Sequence, residues 1–162
     1  DQKILDQKRN NFLAAVYFGD SKPCGVSFAD ISTGEFYVAE GDQEYLNKLL
    51  QNFQPSEVLL PKSKKNIFDQ LFSDHYYTYG LEDWVFSQEY AYKKLLHHFE
   101  VSNLKGFGVE NLVSGQISAG AILFYLENTE NKNPKHLSHL VESFDHLRIE
   151  YQTADANQPI TD

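Results

Sequence analysis

NFLAAVYFGDSKPCGVSFADISTGEFYVAEG, residues 11–41, is the stretch whose reading decides the fold. It holds three apolar segments, 12–18, 25–31 and 35–39, rich in Val, Ile, Phe and Tyr. They are parted by Gly19-Asp20-Ser21-Lys22-Pro23 and by Ser32-Thr33-Gly34. β-branched and aromatic residues bounded by turn-forming clusters predict successive strands, so this stretch reads as a three-stranded β-meander. The second and third segments are close enough to pair antiparallel, with Gly34 supplying the positive φ of a short turn. The first, FLAAVYF, is apolar at every position rather than at alternate ones. A strand of that kind is covered on both faces, so helices from later in the chain must pack on it.

Those helices follow. Leu46, Leu49, Leu50 and Phe53 recur at i, i+3, i+4 and i+7, which predicts an amphipathic helix over 43–53 ended by Pro55. Residues 57–60 read as a returning strand closed by Pro61. Asn66 is a candidate N-cap for a short helix bearing Ile67, Phe68, Leu71 and Phe72, and HYYTY at 75–79 is a fifth strand. A meander followed by helix, strand, helix, strand predicts an α/β fold with a mixed sheet: three antiparallel strands plus two crossover strands.

Over 87–100, Tyr92, Leu95, Leu96 and Phe99 share one helical face, which should be buried. Tyr90, Lys93, Lys94 and His97 share the other. A Gly-punctuated loop carrying Phe107 leads to QISAGAILFYL at 116–126, apolar almost all round and so a buried helix, where Ala119, Gly120 and Ala121 permit close approach of another backbone. After Pro134, the spacing of Leu137, Leu140, Val141, Phe144 and Leu147 predicts a last helix. Residues 1–9 read as a lead-in linker, 10–150 as one domain and 151–162 as a polar tail.

Composition narrows the function. At 162 residues the chain suits a single domain, and 41% hydrophobic residues with 14% aromatics exclude general disorder. No apolar run approaches the roughly 18 residues of a membrane span. The net charge of −9, from 23 acidic and 14 basic residues, argues against direct binding to nucleic-acid phosphates. The single cysteine, Cys24, cannot form an internal disulfide, and no signal-peptide pattern opens the chain, which together point to the cytoplasm. Since the sequence contains no Met, it is expected to be an excised piece of a longer protein.

Several phrases, taken together, resemble the connector domain of the MutS family of DNA mismatch-repair proteins. They are NNFLAAVYF at Asn10, DISTGEF at Asp30, PSEVLLP at Pro55, the Trp84-Val85-Phe86 step leading to HF at His98, LKGFGVEN at Leu104 and SAGAILFYLENT at Ser118. DISTGEF and GFGVEN are distinctive in combination, which marks Asp30, Gly34, Trp84, Gly106, Phe107 and Gly108 as structural positions of the pattern. The resemblance implies a ribonuclease-H-like fold and a non-catalytic connector. Such a module relays conformational change between mismatch-binding and ATPase regions and docks the partner MutL. It further implies that ATP, magnesium and mismatched DNA are handled by the parent protein outside this fragment.

Other chemistries compete with that reading. A metal-dependent nuclease of ribonuclease-H-like fold needs converging carboxylates, one of them on the first strand, and FLAAVYF carries none. Asp30 and Glu35 flank a turn, where hydrogen bonding at the hairpin is their simpler role. His136, His139 and His146 with Glu142 fall at helical spacing, which admits a metal site or a solvated polar face. Cys24 has no neighbouring His to activate it. GFGVEN lacks the third glycine of a dinucleotide fingerprint, and no Walker phosphate loop is present. The feature pointing most directly to function is the outer face of the 87–100 helix. Tyr90, Lys93, Lys94 and His97 there make a basic, aromatic patch of a composition found in protein-binding surfaces.

Overall fold

The computed structural model describes residues 11–19, 23–129, 134–137 and 139–142. Six strands form one mixed sheet: β1 (Leu13–Tyr17), β2 (Cys24–Asp30), β3 (Glu35–Gly41), β4 (Glu57–Pro61), β5 (Thr78–Leu81) and β6 (His139–Glu142). Their order is β5-β4-β1-β2-β3-β6. The meander is antiparallel, β1 with β2 and β2 with β3. β4 lies parallel to β1, β5 parallel to β4, and β6 parallel to β3.

The unbroken apolar character of β1 has the predicted consequence. Ala14 and Val16 enter a core on one face of the sheet, and Ala15 enters a second core on the other, all three fully buried. The first face is covered by α1 (Gln43–Phe53) and α2 (Lys65–Leu71). Asp42 caps α1 by accepting the Tyr45 N–H at 2.9 Å, and Gln54, in the left-handed conformation, returns its N–H to the Leu50 carbonyl at 2.9 Å. Leu46, Leu49, Leu50 and Phe53 are all buried, and Phe53 stacks on Phe28 of β2 with ring centroids 3.8 Å apart. The predicted helix and its stripe are both present.

The second face is covered by α3 (Gln88–Phe99) and α4 (Val113–Glu127). Eleven of the fifteen residues of α4 are buried, as its all-round apolar character predicts. The small residues do the work expected of them: a Cβ on Gly120 would lie 2.6 Å from the Ala91 Cβ, so α3 crosses α4 at contact distance. The result is three layers, with helices on both sides of a mixed sheet.

Three expectations are corrected. The last described segment is not a helix: Pro134–His136 form a 3₁₀ turn, and His139–Glu142 pair with the outer edge of β3 from Glu35 to Val38. Apolar spacing reports which residues seek burial, and Leu137 and Leu140 are buried; it carries no information that β3 has a free edge to pair with. The fifth strand starts at Thr78 rather than His75. Ser73 and His75 bond to each other in a turn, and Tyr76 packs against Phe68 with centroids 6.1 Å apart, which keeps His75 and Tyr76 out of the sheet. In α2 only Phe68 of the helix itself is buried, with Phe72 just beyond, while Ile67 and Leu71 are exposed; the cap is Lys64, not Asn66.

Gly25 of β2 sits against the first turn of α4, where an added Cβ would lie 2.0 Å from the Ser114 carbonyl oxygen. Gly25→Ala must displace backbone, and is expected to lower unfolding free energy by about 2 kcal/mol or more. Gly106→Ala, with nothing within 4 Å of the new Cβ, is expected to stay within about 0.5 kcal/mol of the parent. Urea denaturation of the two variants checks both values.

Candidate functional site

The candidate docking face is built on α3. Ser87 caps the helix by accepting the Tyr90 N–H at 3.3 Å, with Glu89 in the first turn where the positive end of the helix dipole favours a carboxylate. At the other end Glu100 takes the left-handed conformation at φ 56° and returns its N–H to the last carbonyls. His98 Nε2 donates to the Leu137 carbonyl at 2.7 Å, tying the helix end to the segment that leads into β6.

The four residues predicted for the face separate into two pairs. Lys93 and His97 are exposed, and Lys93 meets Glu89 one turn back at 3.4 Å with both side chains in solvent. A pair of that kind contributes no more than about 0.5 kcal/mol and leaves Lys93 able to exchange partners. Tyr90 and Lys94 are half-buried and already engaged. Lys94 is paired with Glu127 of α4 and lies 5.8 Å from the Tyr90 ring centroid. Burial works against the Lys94 charge, but the Glu127 hydrogen bond and the adjoining Tyr90 hold its ammonium above the ordinary lysine value. Beside His97 the surface opens into a recess of about 620 Å³ lined by His98, Glu100, Glu127, Lys135 and Leu137 among others.

The motif positions differ in their surroundings. Asp30 is buried; its carboxylate accepts the Asn11 N–H at 3.1 Å, the Ser32 N–H at 2.9 Å and the Ser32 hydroxyl at 2.6 Å. Gly34 donates to the Asp30 carbonyl at 2.8 Å and takes φ 81°, the positive value the hairpin needs. Phe107 packs on Phe99 at 4.9 Å between Gly106, which stands in open space, and Gly108, which turns the chain at φ 76°. Trp84 is exposed.

No observation favours the alternative chemistries. Asp30 is committed to its turn and Glu57 accepts the Tyr125 hydroxyl at 3.1 Å. Among the described residues no three His, Cys, Asp or Glu side chains are placed to share a metal ion. The side chains of His136, His139 and Glu142, and His146 altogether, lie outside the described residues; the strand at 139–142 replaces the helical spacing on which that grouping rested. Burial, with Asp42 nearby, pushes the Cys24 thiol up and away from its reactive thiolate. No described helix is long and apolar enough to cross a membrane.

Sequence reading missed Glu40. The N-terminus of α4 has Leu112 at its cap, which offers no side-chain acceptor. Glu40 of β3 supplies one from the adjoining sheet, where it pairs with Gly25: its Oε2 accepts the N–H of Ser114 at 2.5 Å and of Gly115 at 3.2 Å. A residue 74 positions away in sequence leaves no local signal of this role. Gly25 did leave one, since an isolated glycine inside a strand marks close backbone approach.

The described residues form a three-layer α/β domain with Lys93 and His97 exposed on the outer side of α3. Comparison with known sequences gives the particular case: the chain belongs to the family described as MutS domain II, which matches residues 11–140. The protein named DNA mismatch repair protein MutS from Flavobacterium psychrophilum is 50% identical over 138 residues, covering 85% of this chain and 16% of that relative. Its namesake from Cytophaga hutchinsonii is 51% identical over 135 residues, 83% of this chain and 16% of the relative. The one from Bacteroides fragilis is 47% identical over 152 residues, 93% of this chain and 18% of the relative. This chain thus spans under a fifth of the length of these proteins. With 152 of 162 residues matched, the likeness runs past Glu142, beyond the phrases that first suggested it.

Two outcomes follow from the site's chemistry. Glu40→Ala, which leaves the first N–H groups of α4 without their carboxylate, is expected to cost about 1 kcal/mol or more in urea denaturation. Burial, with Glu35 beside it, pushes the Tyr37 hydroxyl from 10.0 up to about 12. The folded state therefore holds this proton more tightly than the unfolded chain, and the contribution is complete below pH 10.0 and lost as pH rises through about 12. Urea midpoints followed across that window should fall, and fall less steeply in Tyr37→Phe.

Proposed function

We propose that this chain is the connector module of a cytoplasmic MutS-type mismatch-repair protein, relaying conformational change between mismatch-binding and ATPase regions and docking a MutL-like partner. The observation that carries this reading is the domain II match over residues 11–140. In support of a ribonuclease-H-like topology, the β3-β2-β1-β4-β5 part of the sheet joins an antiparallel meander to two parallel strands through α1 and α2. The module is not itself an enzyme: Leu13, Ala14, Ala15, Val16 and Tyr17 occupy the strand on which a nuclease of that topology would carry a metal-binding carboxylate. ATP, magnesium and mismatched DNA belong to other regions of the parent protein. On this reading the module's body is residues 10–150; residues 1–9 and 151–162, expected to be a linker and a polar tail, lie outside the described residues.

The docking face is the outer side of α3. Lys93 and His97 present themselves to the partner, and Tyr90 with Lys94 fixes the helix against α4 so that the exposed pair is held in place. A relay also requires contacts that differ between two states of the parent protein. The test uses the full-length protein with Lys93→Glu and His97→Glu together. Its affinity for purified MutL, with and without ATP, is expected to fall about tenfold or more while binding to a mismatched duplex is unchanged. Unchanged MutL affinity would overturn the assignment of this face.

A further inference from the structure

The last turn of α3 makes contacts in two directions. His97 is exposed on it, while His98 donates from Nε2 to the Leu137 carbonyl at 2.7 Å, a bond between residues 39 positions apart. The His98 ring stands edge-on to Phe99 at 4.7 Å, and Phe99 stacks on Phe36 of β3 at 6.3 Å. Phe36 is the register partner of Leu140 in β6. One turn of helix therefore touches both the chain entering β6 and the strand on which β6 lies. Glu100 fixes that turn by returning its N–H to the Leu96 and His97 carbonyls.

β6 is the part of the sheet that gains most from such a hold. It has four residues and lies at the sheet edge, paired to β3. Elements of that kind open locally at a small cost in free energy. The MutS domain II match ends at residue 140, inside β6, so movement of this strand is movement at the boundary of the matched domain. The recess beside His97 spans the same joint. His97, Phe99 and Glu100 line it from α3, and Pro134, Lys135 and Leu137 line it from the segment that enters β6. Its two banks keep their spacing while His98 holds Leu137. A group touching both banks at once thus favours the bonded state over one in which β6 has moved away.

We infer, resting on the reading of α3 as the docking face for a MutL-like partner, that His98 is a positioning residue: by holding Leu137 it couples partner docking on α3 to the seating of β6. The occupant of the recess is a segment of that partner carrying an apolar side chain beside a carboxylate. Phe99, Pro134 and Leu137 offer the apolar wall. Glu127 is already taken up by Lys94, so N–H donors prevail in the lining, His97 and Lys135 against the acceptor Glu100. Linkage makes the coupling reciprocal: docking holds β6 down, and loosening β6 weakens docking.

The full-length protein tests this with purified MutL and amide hydrogen exchange read by mass spectrometry. In the unaltered protein, saturating MutL is expected to slow exchange at residues 139–142 about fivefold or more, with Leu49 and Leu50 in α1 unchanged. His98→Leu, which removes the donor, is expected to lower MutL affinity about fivefold or more. His98→Gln, whose side-chain amide can still donate to the carbonyl, is expected to stay within about twofold of the parent. Exchange at 139–142 that does not respond to MutL in the unaltered protein would overturn the proposal, whatever the variants do. So would a His98→Leu protein that exchanges faster at 139–142 yet binds MutL as the parent does, since the bond would then be structural only. The Lys93→Glu, His97→Glu protein is measured beside them. Parental MutL affinity there counts against the docking face and the coupling together, whereas a loss there with parental affinity in His98→Leu counts against the coupling alone.

Discussion

At Gly25 the backbone of β2 and the first turn of α4 come closer than any side chain would permit, a Cβ there lying 2.0 Å from the Ser114 carbonyl oxygen. The helix seated by this contact is the centre of one whole layer. It is buried on nearly every side, it receives α3 at Gly120 and Ala91, and the N–H groups of Ser114 and Gly115 in its first turn are taken up by Glu40 reaching from β3. Proximity and capping reinforce each other: the carboxylate can span the gap because the gap is small, and the exposed positive end of the dipole is tolerable in the interior because the carboxylate is there. The opposite layer is simpler. α1 and α2 lay apolar stripes on the sheet and need no comparable device.

Legibility in the sequence followed the range of the forces involved. α1 could be read to the residue because its determinants are local: Asp42 at the cap, a stripe at helical spacing, Pro55 beyond the end. The double-faced burial of β1 could be read because an unbroken apolar run has no other explanation in a sheet. The region after Pro134 was misread as helix because its partner, the outer edge of β3, lies about a hundred residues earlier. Ile67 and Leu71 kept helical spacing yet face solvent, since the layer they belong to runs out at the end of a short helix.

The candidate site was half legible. Helical spacing put Tyr90, Lys93, Lys94 and His97 on one face, but a wheel drawn for one helix cannot show that Glu127 of another takes up Lys94. Tyr90 is better described as part of the packing under Trp84 than as an outward group. Exposure of Trp84 was invisible for the reverse reason. A lone tryptophan followed by two apolar residues gives no sign of its exposure, and it is the tight turn at Asp83–Val85 that leaves it outside while Val85 and Phe86 are buried.

The parallel addition of β6 to β3 has a mechanical meaning. β1 and β3 both run antiparallel to β2, so β1, β3 and β6 all point the same way. A pull applied between the start of β1 and the end of β6 runs along the strands rather than across them. It loads the hydrogen bonds of three successive ladders together, in shear, where a hairpin opened from its ends would give them up one at a time. Loaded in this way, the sheet would resist tension with little internal yield.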